Sequence, residues 1–149
     1  MNIQLKSLEE WLAREPKVYY LPQNRKVIGS VESVILLQRA ISLFMEAGRE
    51  PFCMFRKPCS HSVYHEGLSW TEELGLTESK FDTALSRIGT KIADTKTAKG
   101  MSRADALEKT DPTGLVLYWT DTDRVTWYMV NIALVNALGI SAYDTWTVK

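Results

Sequence analysis

The chain has 149 residues, of which 45% are apolar, 24% charged and 10% aromatic. That is enough for one domain with its own core, and it excludes a largely disordered polypeptide. Its 18 basic and 18 acidic residues cancel, which counts against coating nucleic acid by bulk charge and leaves a local patch as the way to bind it. No apolar run approaches the roughly 20 residues of a membrane span. The opening MNIQLK lacks the apolar stretch and cleavage site of a signal peptide. The expectation is a soluble, cytoplasmic protein with no membrane partner.

The first element predicted is a short helix over 7–14, where Ser7 and Glu10 make a capping-box pattern and Pro16 stops the helix. Residues 17–23 (KVYYLPQ) read as extended, and Pro22 argues against a central strand. The longest helix spans 30–47, with Ser30 as cap and Gly48 as stop. Val34, Leu37, Ile41 and Phe44 recur at helical spacing, and Leu36, Ala40, Leu43 and Ala47 widen that face. A stripe this broad belongs to a helix wrapped by the rest of its domain.

Residues 49–67 (REPFCMFRKPCSHSVYHEG) carry two prolines and no lasting period, so they read as a long loop with a short strand at 52–55. Ser69 to Glu72 form a second capping box, opening a brief helix that ends at Leu74-Gly75. Thr77 caps a helix over 78–88 with Phe81, Ala84, Leu85 and Ile88 on its inner face, and Gly89 ends it. Helix, glycine turn and helix at this spacing make a helix-turn-helix.

Residues 94–109 are polar and helix-compatible but poorly patterned, with Gly100 in the middle. Segments 115–119 and 125–130 alternate at period two around a polar connection, TDTDR, which predicts a β-hairpin. A last helix over 132–138 ends at Gly139, and a tail follows with Tyr143 and Trp146.

The charges are segregated along this order. Segment 66–82 holds five acids (Glu66, Glu72, Glu73, Glu78, Asp82) against Lys80. Segment 87–103 holds five bases (Arg87, Lys91, Lys96, Lys99, Arg103) against Asp94, and 104–123 turns acidic again. A basic stripe is confined to one stretch.

SWTEELGLTESKFDTALSRIG (69–89) resembles the helix-turn-helix of winged-helix DNA-binding proteins, and LVLYWTDTDRVTWYMVN (115–131) resembles their wing. The preceding long helix and aromatic-rich loop are similar to phage and mobile-element replication or regulatory proteins with this domain. The resemblance implies an α+β fold in a single domain over 1–149. Its parts are an N-terminal helical extension over 1–28, a winged helix over 29–131, and a C-terminal helix with tail over 132–149. About 25 residues separate the recognition helix from the wing where a compact winged helix needs a handful, so an inserted segment is expected near 90–113.

A recognition helix in the major groove presents short polar and basic side chains to base edges and phosphates. The outer face here offers Ser79, Lys80, Thr83, Ser86 and Arg87, and the basic stripe continues with Lys91 and Lys96. Arg124 at the hairpin tip is placed to reach a minor groove or a phosphate. The helix starts at Ser69 and Thr77 offer backbone N–H groups to phosphates. Glu78 and Asp82 lie on the same helix and oppose this reading, since they repel phosphate unless they accept from cytosine amino groups. Double-stranded DNA is the partner these residues favour, and the DNA reading needs Lys80, Arg87, Lys91 and Lys96 on one surface. The alternative is a winged-helix adaptor that docks a protein and touches no DNA.

Other chemistry is poorly supported. Cys53, Cys59, His61 and His65 have zinc-compatible donors, but their C-x5-C-x-H-x3-H spacing matches no common module, and two reduced thiols with two loop histidines are the favoured reading. Cys59 beside His61 shows sequence adjacency, not nucleophile geometry. Glu72-Glu73 read as a solvated helix face, and Asp121 and Asp123 as turn residues. With no P-loop, G-x-G-x-x-G or G-x-S-x-G, neither an enzyme nor a cofactor is expected. Alternation puts one of Tyr118 and Trp119, and one of Trp127 and Tyr128, on each face of the hairpin, so half belong to the core and half are partly exposed. An exposed aromatic strip beside the C-terminal helix would suit a homodimer.

Overall fold

The computed structural model describes residues 20–93 and 114–140. The expected helix over 7–14, the 94–109 stretch, Lys96, Tyr143 and Trp146 lie outside them. Among the described residues, nine short elements form around one long helix. A 3-10 turn, Pro22–Asn24, runs into α1 (Arg25–Ile28), and α2 (Val31–Glu46) follows after Gly29. The sequence alone gives no sign of α1, which lies within the expected extension over 1–28. In fact Ile28 joins the core, and the Leu21 N–H donates to Gln38 Oε1 of α2 at 2.9 Å.

Gly29 makes that corner with φ 88, a conformation only glycine adopts freely, and a Cβ there would stand 3.2 Å from Arg87 Nη1. Because the arginine tip can yield, the backbone sets the cost. Gly29→Ala is expected to destabilise the fold by about 1–2 kcal/mol, read as a lower urea midpoint at unchanged slope.

Ser30 caps α2 by accepting the Ser33 N–H, as its sequence indicates. Val34, Leu36, Leu37, Ala40, Ile41 and Phe44 are buried, Leu43 is partly so, and Ala47 is exposed beyond the helix end. Two polar residues interrupt the apolar stripe and are fully used. Ser33 Oγ donates to the Ala84 carbonyl at 3.0 Å, and Gln38 takes the Leu21 N–H. A buried polar group without such a partner would cost stability, so these contacts fix the seating of α2.

β1 (Phe52–Cys53) leads through a loop to α3 (Trp70–Leu74) and α4 (Glu78–Ile88), both with the expected bounds and caps. Phe81, Ala84, Leu85 and Ile88 are the buried face of α4, which packs on α2. Then the structure departs from expectation. Gly89 ends the helix in extended conformation, and the chain continues directly as β2 (Gly89–Ala93). β3 (Val116–Thr120), β4 (Thr126–Val130) and α5 (Ile132–Ala137) complete the described residues.

The sheet order is β1-β4-β3-β2, antiparallel except that β2 runs parallel to β3. Residues 90–93 of the expected inserted segment therefore belong to the sheet. Parallel pairing has a topological consequence. Gly89 pairs with Val116 and Ala93 with Trp119, so β2 ends near the hairpin tip while β3 begins at its base. A connection of a dozen or more residues is what parallel strands require, which accounts for the long spacing between helix and hairpin.

Half of the hairpin aromatics are buried and half partly exposed, as expected, but each face holds one of each kind, a division that alternation does not set. Trp119 faces Trp127 and Tyr118 faces Tyr128 across the strands; Trp119 and Tyr128 are buried, while Trp127 and Tyr118 are half-buried. Tyr118 and Tyr128 stack at 5.9 Å, so these rings serve cross-strand packing. Among the described residues, no single helix is long and apolar enough to cross a membrane.

Candidate nucleic-acid interface

α3 and α4 meet at Gly75, whose φ of 67 turns the chain in the left-handed region. At the start of α3, Ser69 Oγ accepts the Glu72 N–H at 3.4 Å and donates to Glu72 Oε2 at 2.5 Å. Glu72 also accepts from Tyr64 Oη at 2.8 Å and the Gly67 N–H at 3.2 Å. The Ser69 and Tyr64 hydroxyls hold its carboxyl below the ordinary range, and Tyr64, losing solvent and donating to Glu72, is pushed up to about 12. Glu72 thus anchors the loop before α3. Glu73 corrects the solvated-face reading: its side chain is 11% exposed and meets Arg39 Nε of α2 at 2.6 Å.

On α4, Thr77 Oγ1 accepts the Lys80 N–H at 3.3 Å. With Ser69 doing the same for Glu72, one N–H at each helix start is satisfied within the chain and withdrawn from the phosphate role. Ser79, Thr83 and Ser86 centre the outward face and are exposed. Thr83 Oγ1 donates to the Ser79 carbonyl at 2.9 Å and Ser86 Oγ to the Thr83 carbonyl at 2.8 Å. The hydroxyl protons of Thr83 and Ser86 are spent on the helix, which leaves their oxygens as acceptors.

The charges of α4 separate by flank. Helical geometry puts Lys80 and Arg87 on one side, two turns or roughly 10 Å apart, and Glu78 and Asp82 on the other. Arg56 forks onto Asp82, with Nε and Nη2 donating at 2.8 and 2.5 Å, and Nη1 lies 3.7 Å from Glu78. Lys57 Nζ stands 3.1 Å from Glu78. The acids that weighed against a phosphate surface are therefore neutralised by two loop cations. Nothing in the irregular sequence of that loop marks Arg56 and Lys57 for this role, because the pairing spans 26 positions in the case of Asp82.

Lys80, Arg87, Lys91 and Arg124 are exposed and make no ion pair among the described residues. They stand on three elements, Lys80 and Arg87 on α4, Lys91 on β2 and Arg124 at the hairpin tip, and Lys96 lies outside the described residues. Arg87 leans toward Gly29 and borders a groove of about 510 Å³ with Val27, Ile28, Leu134 and Leu138. Lys91 is on β2, opposite Tyr118. Arg124 is at the hairpin tip with φ 62, and its N–H donates to the Asp121 carbonyl at 3.1 Å. Asp121 builds that tip: Oδ1 accepts the N–H groups of Asp123 and Val125 at 2.8 and 3.1 Å, and Oδ2 accepts the Trp127 indole N–H at 2.9 Å.

The four sulfur and imidazole residues are dispersed. Cys53 is half-buried on β1, where desolvation raises its thiol above the ordinary value, and Cys59 is an exposed thiol. His61 faces the hairpin tip, whereas His65 Nδ1 lies 3.1 Å from the Glu66 carbonyl. Among the described residues no three His, Cys, Asp or Glu side chains gather as a metal site. No protein-family model, curated protein or solved structure matches this chain.

Proposed function

We propose that the protein is a winged helix that binds double-stranded DNA, reading the major groove with α4 and flanking it with the β3–β4 hairpin. The observation that carries this reading is the division of charge on α4. Among the described residues Lys80 and Arg87 make no ion pair on one flank, while Glu78 and Asp82 on the other are covered by Arg56 and Lys57. With β2 set aside, the order α2-β1-α3-α4-β3-β4, with β1, β4 and β3 adjacent in the sheet, resembles that of a winged helix, which supports the same reading. β2 is an addition to it. Ser79, Thr83 and Ser86 supply acceptors for base edges; Lys91 and Arg124 extend the phosphate contacts beyond the helix. Lys96 continues the basic stripe in sequence.

A role as a transcriptional regulator or replication-associated factor of a phage or mobile element rests on the family resemblance. In this reading two copies bind neighbouring half-sites as a homodimer.

The test is fluorescence anisotropy with mixed-sequence duplex at two salt concentrations, comparing the natural chain with Lys80→Ala/Arg87→Ala. Binding is expected to weaken steeply with salt, and the double variant to lose about tenfold in affinity and about two in salt slope. A folded protein that ignores duplex at low salt would sink the DNA reading. The adaptor would then lead, and one observation favours it: the groove beside Arg87 carries two of the few exposed large apolar side chains, Val27 and Leu138.

A further inference from the structure

The loop between β1 and α3 touches both parts of the proposed interface. Near its start, Arg56 and Lys57 hold Asp82 and Glu78 of α4. Farther on, His61 Nε2 lies 2.7 Å from the Asp123 carbonyl at the hairpin tip. A carbonyl only accepts, so Nε2 carries a proton. Nδ1 accepts the Val63 N–H at 3.0 Å and is therefore bare. Both ring nitrogens are committed, which fixes the tautomer and the ring plane. Phe55 packs against the imidazole at 5.1 Å and edge-on to Tyr64 at 5.7 Å, and Tyr64 is tied to Glu72 of α3. The loop is thus anchored at the recognition helix, at α3 and at the hairpin.

The far anchor lies one residue before Arg124. That arginine occupies the left-handed region with φ 62, where a non-glycine residue is strained and glycine is not. Its side chain borders a groove of about 700 Å³ between the hairpin tip and residues His61, Ser62 and Val63. A turn in which a long cation is kept at a strained position, and is clamped from outside by a histidine, is built to aim that cation.

We infer that residues 56–65 form a strap that sets the hairpin tip relative to α4, and that His61 is the positioning residue that delivers Arg124 to a DNA phosphate. The inference rests on the DNA-binding reading above for its second half; the strap itself does not depend on it. His61 acts through the Asp123 carbonyl and touches no DNA.

Two measurements on the full chain test it. Amide hydrogen exchange of His61→Ala is expected to speed up at Arg124 and Val125 while the global unfolding midpoint stays put. His61→Gln, whose amide N–H can reach the same carbonyl, is expected to restore protection. Anisotropy with mixed-sequence duplex is expected to show a five- to tenfold loss for His61→Ala, recovery in His61→Gln, and no further loss when His61→Ala is added to Arg124→Ala. Unchanged tip exchange in His61→Ala overturns the strap. An equal loss with and without Arg124 overturns the route through that residue. If the natural chain binds no duplex, the delivery of Arg124 fails together with the DNA reading, and the exchange measurement still decides the strap.

Discussion

Trp70→Ala is expected to lower stability by about 3–5 kcal/mol, a large part of what a domain of this size possesses. Trp70 is fully buried. Its ring stacks on Phe81 of α4 at 5.9 Å and meets Tyr128 of β4 and Phe52 of β1 edge-on at 5.4 and 6.2 Å. One side chain therefore joins α3 to α4 and to two strands. Alanine would leave a cavity whose walls belong to separate elements, and these cannot close on it without moving the sheet against α4. Trp70→Phe keeps an aromatic face toward Phe81 and should lose clearly less. Urea unfolding followed by circular dichroism measures both. A loss below about 1 kcal/mol in the alanine variant would mean that the site collapses and that Trp70 is not the joint described.

Glu73→Ala is expected to cost about 2–3 kcal/mol, because it strands a cation rather than merely deleting a contact. The Arg39 and Glu73 side chains are 14% and 11% exposed, and the only other ion pair of Arg39 among the described residues is to the exposed Glu46, at 3.8 Å. With Glu73 gone, Arg39 would keep a distant, solvated partner while still held mostly out of water. Replacing both members, as in Arg39→Met/Glu73→Leu, removes the stranded charge and should recover much of the loss. A double-mutant cycle in urea supplies the coupling. Near-additive losses would show that the pair is screened like a surface salt bridge. The loss should also change little with added salt, since burial shields the pair from mobile ions.

Some elements were legible because their causes lie within a few residues. Ser30, Ser69 and Thr77 each cap a helix with their own side-chain oxygen, so α2, α3 and α4 begin where the sequence says. The inner face of α4 and the hairpin follow from periodicity alone. Alternation also gives which hairpin rings share a face, but not which are buried, since each face holds one buried and one half-buried ring. β2 was not readable: GTKIA is short, carries little β signal, and is a strand only because β3 lies beside it. The short helix α1 has the same character, with Ile28 drawn into a core assembled by other elements.

The candidate site divides in the same way. Its exposed residues, Ser79, Lys80, Thr83, Ser86 and Arg87, follow from the wheel of α4, since the buried face defines the outer one. What makes their chemistry workable comes from elsewhere. Arg56 and Lys57 neutralise the two acids of α4, and His61 grips the hairpin tip across 62 positions. Glu73, which its sequence neighbours mark as solvent-facing, is buried because Arg39 is waiting on α2.

The sequence by itself determined the helix starts, the apolar faces and the hairpin pairing, because capping, periodicity and alternation act through bonds and spacings of a few residues. Tertiary structure alone decided the fourth strand, the fate of the acidic residues and the anchoring of the loop. These depend on which distant charges and backbone carbonyls come within hydrogen-bond reach, and chain packing, not local preference, brings them there.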